Sequence, residues 1–519
     1  KKREAAPAGA ELDCSLSSWE VYLEPPIERW LVPDGYDCVG YIDIDRPVSD
    51  WNEPIDDLLN LLPPISDPLD YTPAVWGPEA YRRSFEKFHY AEPCEAIAVR
   101  YPREWTFAMK VLRREYDFLV DSVMVDITST HKNSDSTPGF PKFLRWPTEA
   151  DYLAERGYCD YIVELNRVMS GARPRVLWYL FLKKEVLKTS KVNESDIRQI
   201  VCADPIYARI GCVFEEHQNQ LMKERTATRM GQCGWSPFFG GFTRRIERLI
   251  SHGNHCYVEF DWTRFDGTIP REVFHAVKTF RFSCLHPTYR TRENWEVYMW
   301  YLSNLYERYV LLPSGEVTIQ RRGNPSGQVS TTMDNNMVNV FLQAFEYAYM
   351  WPDKTMDELC DDWTLCDSLV YGDDRLSTYP SLPDDYIPRV VAMYKDVFGM
   401  WVKEEKVKVA STPIGLTFCG FQVTSDLLPV PQACAKLLAA LVKPVKKLQD
   451  LDALYGKLLC YRILSHNLDD DHDFKRYVLV ALDVLARHIR SKGGEEPFYL
   501  TDRMLDVLWR GGPKKHYGE

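Results

Sequence analysis

What this chain of 519 residues lacks narrows it before any motif is read. Its 14 cysteines include no Cys-x-x-Cys pair. Their spacings fit neither a zinc site nor a disulfide framework, so a reducing cytosol is the expected setting. No run of about eighteen apolar residues is present, which leaves no candidate membrane-spanning helix, and no signal peptide opens the chain. An excess of positive charge is missing too: the formal net charge is −12. That argues against a long nonspecific grip on a polyanion, although a local basic channel remains compatible with it, because phosphate binding depends on local fields. The chain opens Lys1-Lys2-Arg3-Glu4 without a methionine, as expected for a piece of a precursor. Its length exceeds what one core fills, so two or three subdomains are expected.

What is present is concentrated in three segments. Tyr371-Gly372-Asp373-Asp374 would be weak alone, since paired acids after a glycine often cap a turn. Here Ser368–Tyr371 and Arg375–Tyr379 both read as short strands, with Gly372-Asp373 between them as a two-residue hairpin turn. Upstream, Cys256, Val258 and Phe260 alternate with Tyr257, Glu259 and Asp261, the period of a half-buried strand ending at Asp261. Asp261, Asp373 and Asp374 can therefore meet, and converging carboxylates repel unless a hard divalent cation neutralises them. Magnesium suits such a set: it takes oxygen ligands, keeps several waters and bridges carboxylates to substrate phosphates. Two such ions about 3.5–4 Å apart suit an in-line phosphoryl displacement, and manganese accepts the same ligands.

The third segment begins at Gly323-Asn324-Pro325-Ser326-Gly327, a loop whose glycines permit unusual backbone angles. Met333, Met337, Val340, Phe341 and Ala344 then recur at helical spacing. On that helix Thr331, Asn335 and Asn339 form a polar stripe, which alone reads as a solvated face. Beside a metal site, a hydroxyl and a carboxamide one turn apart can position a ribose, with Asp266 accepting from its 2′-hydroxyl. A site built for that hydroxyl rejects a deoxynucleotide strongly.

In order and spacing, these segments resemble motifs A, B and C of positive-strand viral RNA-dependent RNA polymerases of the picornavirus and calicivirus type. The wording of 261–270, 323–339 and 371–377 is most similar to the astrovirus polymerases. The resemblance extends from about residue 134 to 424. Residues 181–198 resemble motif F, placing Lys183, Lys191 and Arg198 on the cationic positions that hold the incoming triphosphate; without the family they are a solvated charge run. Ser136, Thr137 and Gly139 fall in a stretch resembling the template-guiding motif G, otherwise an ordinary turn. Phe398-Gly399-Met400 leading to Lys406 resembles motif D, whose lysine protonates the leaving pyrophosphate; Lys403 and Lys408 compete with Lys406 for that place. Residues 415–418 match motif E, but Cys419-Gly420 depart from its leucine and basic residue.

The resemblance implies an α+β right-hand polymerase: residues 1–50 bridge fingers and thumb; 51–255 form fingers; 256–275 carry palm motif A; 276–320 form a fingers insertion; 321–424 carry palm motifs B to E; 425–519 form a small helical thumb and C-terminal tail. Aromatic residues of the insertion, Trp295, Tyr298, Trp300 and Tyr301, are expected in the core. Arg244, Arg245, Arg321, Arg322, Lys443, Lys446 and Lys447 are candidate channel linings, and the RNA affinity is expected to be weak and salt-sensitive. The implied partners are RNA template and primer–product duplex, ribonucleoside triphosphates, a genome-linked protein primer and other viral replication proteins. The implied location is host cytoplasm, at viral replication complexes. A reverse transcriptase and a noncatalytic RNA-binding scaffold are the competing readings; Asp266, the 326–335 segment and the retained carboxylates weigh against them.

Overall fold

Alternating strands at 257–260 and 367–378 build a four-stranded antiparallel sheet, ordered Asp367–Tyr371, Asp374–Thr378, Tyr257–Phe260, Lys408–Ala410. The computed structural model describes residues 11–512 apart from 27, 54–55, 66–68 and 89. The C-terminal tail from 513 and the first ten residues of the N-terminal segment lie outside the described residues. In the hairpin, Tyr371 pairs with Asp374 and Val370 with Arg375, so Gly372 and Asp373 alone form the turn. Gly372 has φ +61°, at the first turn position, where glycine adopts positive φ without a Cβ clash.

Tyr257–Phe260 departs from the expected half-buried strand, because all four residues are buried. Tyr257 packs into one apolar cluster with Leu369, Leu376 and Phe418, whereas Val258 and Phe260 join the main core on the other face. A strand paired on both edges and covered on both faces buries even its polar member. Glu259 accepts from the Thr417 N–H at 2.5 Å and lies 3.6 Å from Lys408.

The Thr331–Met350 helix runs behind the sheet and is apolar on more than one side. It packs against the Pro102–Glu115 and Arg271–Ser283 helices, with Met337, Val340, Phe341, Leu342 and Phe345 all at 0% exposure. Each such side chain contributes about 1.5–3 kcal/mol, so tertiary packing holds this helix, and its asparagines are interior rather than a solvated stripe.

A five-stranded sheet forms the other large layer, ordered Cys38–Tyr41, Glu316–Gln320, Arg308–Leu311, Leu177–Leu182, Gln199–Cys202. Tyr298, Trp300 and Tyr301 are core residues as expected, while Trp295 is 39% exposed and meets Phe282 edge-on. Residues 11–50 dock on this layer. Glu316 accepts the backbone N–H groups of Trp30, Leu31 and Val32. The expected bridge to the thumb is carried further along: Leu58, Leu59, Leu61 and Leu62 enter the thumb core, and Tyr477 donates to the Pro63 carbonyl at 2.9 Å. This apolar run packs among the leucines of residues 441–485.

A small sheet of Thr417–Phe418, Phe421–Val423 and Pro429–Pro431 precedes the thumb, so helical structure begins at Cys434 rather than at 425. Cys434–Val442, Leu451–Ser465 and Asp473–Ser491 enclose one leucine-rich core. The Asp502–Arg510 helix returns to the body: Phe239 donates its N–H to the Leu508 carbonyl at 2.6 Å, and Trp509 packs on Phe238.

Candidate active site

Asp261 follows the last residue of its strand, Asp373 sits at the hairpin tip, and Asp374 opens the returning strand. Arg375 pairs with Phe260 across the sheet, which brings the ends carrying these acids side by side. The hairpin tip is clamped from behind: Asn336 accepts the Gly372 N–H at 2.6 Å, and Asn339 donates to the Gly372 carbonyl at 3.0 Å. Asp374 is held from the front by the Cys419 N–H at 2.8 Å. Cys419 and Gly420 have φ +51° and +77°, the positive pair of a two-residue hairpin turn. The turn aims a backbone donor at Asp374, and at Gly420 a basic side chain would sit in the left-handed region that favours glycine.

Electrostatically the acids are poorly compensated. Burial, then the neighbouring Asp373, pushes Asp374 up to about 7. Asp373 is raised by surrounding protein and by Asp261, with Arg198 and Lys403 opposing. Among the described residues Asp261 has one cation near it, Lys403 Nζ at 4.0 Å. Lys406 is exposed, and Lys408 is turned to Glu259. Among the described residues, no three His, Cys, Asp or Glu side chains come together so as to hold a metal ion by themselves. The oxygen-only, mutually repelling set does fit a hard cation whose remaining ligands are water and phosphate.

Asp266 lies on the turn after Arg264, itself at φ +56°, and accepts from Asn335 Nδ2 at 2.8 Å. Burial and Asp373 raise it to about 7, against Asn335 and Arg198. Thr331 does not face it: its hydroxyl is shared between the Pro325 and Gln328 carbonyls, both at 2.9 Å. Ser326 and Gly327 stitch the loop to the Gln199–Cys202 strand: Ser326 Oγ donates to the Gln199 carbonyl at 3.2 Å, and the Gly327 N–H to the Val201 carbonyl at 3.0 Å. A Cβ on Gly327 would lie 2.3 Å from that oxygen, so only glycine fits.

Glu185 holds Lys183 at 3.3 Å and Arg198 at 3.4 Å, while the Lys183 N–H donates to the Arg198 carbonyl at 2.8 Å. Arg198 is exposed and acts on both Asp266 and Asp373. Lys191 is exposed and lies near enough to Lys403 to lower it. Away from the tip, Ser136 Oγ accepts from Lys132 Nζ at 3.1 Å, Thr137 Oγ1 accepts the Gly139 N–H at 3.2 Å, and Gly139 has φ +75°.

Two candidate channel linings are interior instead. Arg245 is bonded to Asp367 at 3.0 Å, and Arg322 donates to the Thr268 and Phe398 carbonyls at 2.8 Å. Their partners are remote in sequence, so composition could not separate them from Arg244, Lys443, Lys446 and Lys447, which are exposed. Arg321 pairs with Asp37. Sequence reasoning also missed the roles of Asn336, Asn324 and Gln328. The signal available was a cluster of amides in and just before a helix too apolar to have a wet face.

A family model described as viral RNA-dependent RNA polymerase matches residues 40–470. The chain belongs to this family, the templated polymerases whose right-hand fold carries such an aspartate hairpin. More particularly, it is 64% identical to the non-structural polyprotein 1AB of mink astrovirus 1 and 51% identical to that of human astrovirus-1, over 99% of its own length in each case. It spans 38% and 36% of those polyproteins. A solved Sicinivirus 3Dpol RNA-dependent RNA polymerase shares the fold at a TM-score of 0.65 and 15% identity, covering 91% of this chain and 98% of that one.

Proposed function

We propose that the chain extends an RNA primer on an RNA template, joining the primer 3′-hydroxyl to the α-phosphate of a ribonucleoside triphosphate and releasing pyrophosphate. The observation that carries this is the hairpin tip, where Asp261, Asp373 and Asp374 share one site with too little positive charge to balance them. These three would hold two magnesium ions, with manganese as a substitute. Ions held there would supply activation of the hydroxyl and stabilisation of the charge on the transferring phosphate. Asn336, Asn339 and the Cys419 N–H keep the tip in place before substrate arrives, which lowers the reorganisation the reaction requires.

Arg198, Lys183 and Lys191 receive the triphosphate, with Glu185 keeping the first two together. Asp266, oriented by Asn335, accepts the 2′-hydroxyl of a ribonucleotide. Lys403, beside Asp261, is better placed than Lys406 or Lys408 to give a proton to the departing pyrophosphate. Ser326, Gly327 and Thr331 shape the loop beneath the nucleotide through backbone contacts, and Ser136, Thr137 and Gly139 guide the template. The small thumb suits an open product channel and a protein primer; robust initiation on a blunt template without any primer would count against that part. The proposed setting is the host cytoplasm, at viral replication complexes.

Primer extension on an RNA template with magnesium tests the reading. Ribonucleotide-dependent extension, lost in Asp373→Ala, is expected. Extension with deoxyribonucleotides would indicate reverse transcription. No extension under primed conditions would favour a scaffold.

A further inference from the structure

A continuous line of amides runs from Asp266 into the protein interior. Asn335 gives Nδ2 to Asp266 and takes Nδ2 of Asn324 on its own oxygen at 2.9 Å. Asn324 in turn takes Nε2 of Gln328 on its oxygen at 2.9 Å. The same Nε2 donates to Asp334 Oδ2 at 2.8 Å, and the Gln328 oxygen accepts the Ser330 N–H at 2.9 Å. Asp334 is fully buried and bonded to Lys278 at 2.5 Å and Arg281 at 2.7 Å.

An isolated carboxamide can turn over and exchange its donor and acceptor ends. This line cannot. Its inner end lies between a backbone N–H, which only donates, and a carboxylate held by two cations, which offers acceptors. Gln328 therefore has one allowed orientation; together with the Thr331 carbonyl, which takes Asn324 Nδ2 at 3.3 Å, it fixes Asn324, and Asn324 fixes Asn335. The outcome is that Asn335 presents its NH2 end to Asp266. The reversed amide would set a carbonyl oxygen against the carboxylate and displace it.

We infer that Gln328, acting through Asn324, is a positioning residue for ribose selection: it determines which end of Asn335 meets Asp266 and so where Asp266 stands for a 2′-hydroxyl. The inference rests on the polymerase reading above and adds to it a control point at a residue that does not contact Asp266. Gln328→Glu is nearly isosteric but puts an acceptor against Asp334 and against the Asn324 oxygen. Turning Asn324 relieves the second clash at the expense of its longer bond to the Thr331 carbonyl, and drives Asn335 into the wrong orientation.

The test is single-nucleotide extension of an RNA primer by the full chain, with CTP and dCTP compared by kcat/KM. In Gln328→Glu the CTP-to-dCTP ratio should fall about tenfold, mostly through loss on CTP, as expected when a polar partner of a substrate hydroxyl is misplaced. In an Asn335→Ala background the same change should leave the ratio where Asn335→Ala alone puts it, because acting through one amide makes the effects non-additive. Gln328→Met, which removes the bonds without adding charge, should lower the ratio less and serves if the Glu variant does not fold. Equal losses on both nucleotides in both variants, or a further fall in the Asn335→Ala background, would overturn the inference while wild-type discrimination left the polymerase reading intact. A wild-type chain that extends no primer would overturn both.

Discussion

Two sets of acids in this molecule are treated in opposite ways. Inside, Glu215 takes Lys278 at 2.8 Å and the Tyr298 hydroxyl at 2.7 Å, and Glu346 takes Arg375 at 2.9 Å with Tyr386 and Tyr394. At the hairpin tip, Asp373 and Asp374 have no lysine or arginine within ion-pair distance among the described residues, and Asp261 has only Lys403 at 4.0 Å. Burying an unpaired charge costs several kcal/mol, so interior acids come with cations. On the proposed reading, the uncompensated acidic set at the end of the four-stranded sheet is where the missing charge would arrive with the substrate.

The largest effect should come from unbalancing an interior acid. Glu215→Ala leaves Lys278 and Arg281 short of a partner and should lower the unfolding free energy in urea by about 3–5 kcal/mol. Because the cations hold Glu215 down at about 2, its stabilisation is present above the ordinary carboxylate range and disappears as pH falls towards 2. A loss below about 1 kcal/mol would break the contrast from the interior side.

A smaller effect is expected where the substrate supplies the missing balance. Arg198→Ala should raise the nucleotide KM by about tenfold to a hundredfold, the range for one hydrogen bond to a charged group, and leave the melting temperature unchanged. An altered melting temperature with an unaltered KM would make Arg198 a structural partner of Glu185.

The smallest effect concerns an acid between the two classes. Glu115 accepts the Met230 N–H at 2.6 Å, and burial raises it to about 7. The folded state therefore resists its ionisation, and stability is lost as pH rises from about 4.5 to 7. Glu115→Gln should melt about as wild type does at pH 4.5 and be more stable by about 1–3 kcal/mol at pH 8. No difference between these pH values would show Glu115 to be better solvated than its position implies.

The site was legible in the sequence where local pattern alone determines geometry. The Gly372-Asp373 turn, the strand before Asp261 and the helix after Ser330 follow from spacing within a few residues of each acid. Less legible was anything set by partners far along the chain. The 257–260 alternation did not reveal a second covered face, which is supplied by 416–423 together with Phe242, Ile246 and Leu249 of the helix just upstream. Arg245 and Arg322 read like channel linings because nothing local marks Asp367 or the Phe398 carbonyl as their partners. The Cys419-Gly420 departure became intelligible only once its positive φ angles and its bond to Asp374 were in view. The inward run from Asn335 to Asp334 lies within twelve residues of one loop and helix, 324–335, yet its direction depends on Lys278 and Arg281 from another helix.

The most direct measurement pairs two readouts on Asp373→Asn: thermal melting in chelator, and RNA-primed extension with ribonucleotides and magnesium. A melting temperature at or above that of wild type is expected, since a repelling charge is gone, together with an extension rate at least about 10³-fold lower. A variant that melts well below wild type, or that still extends the primer, would contradict the claim that this acid is left unbalanced in order to bind what the reaction brings.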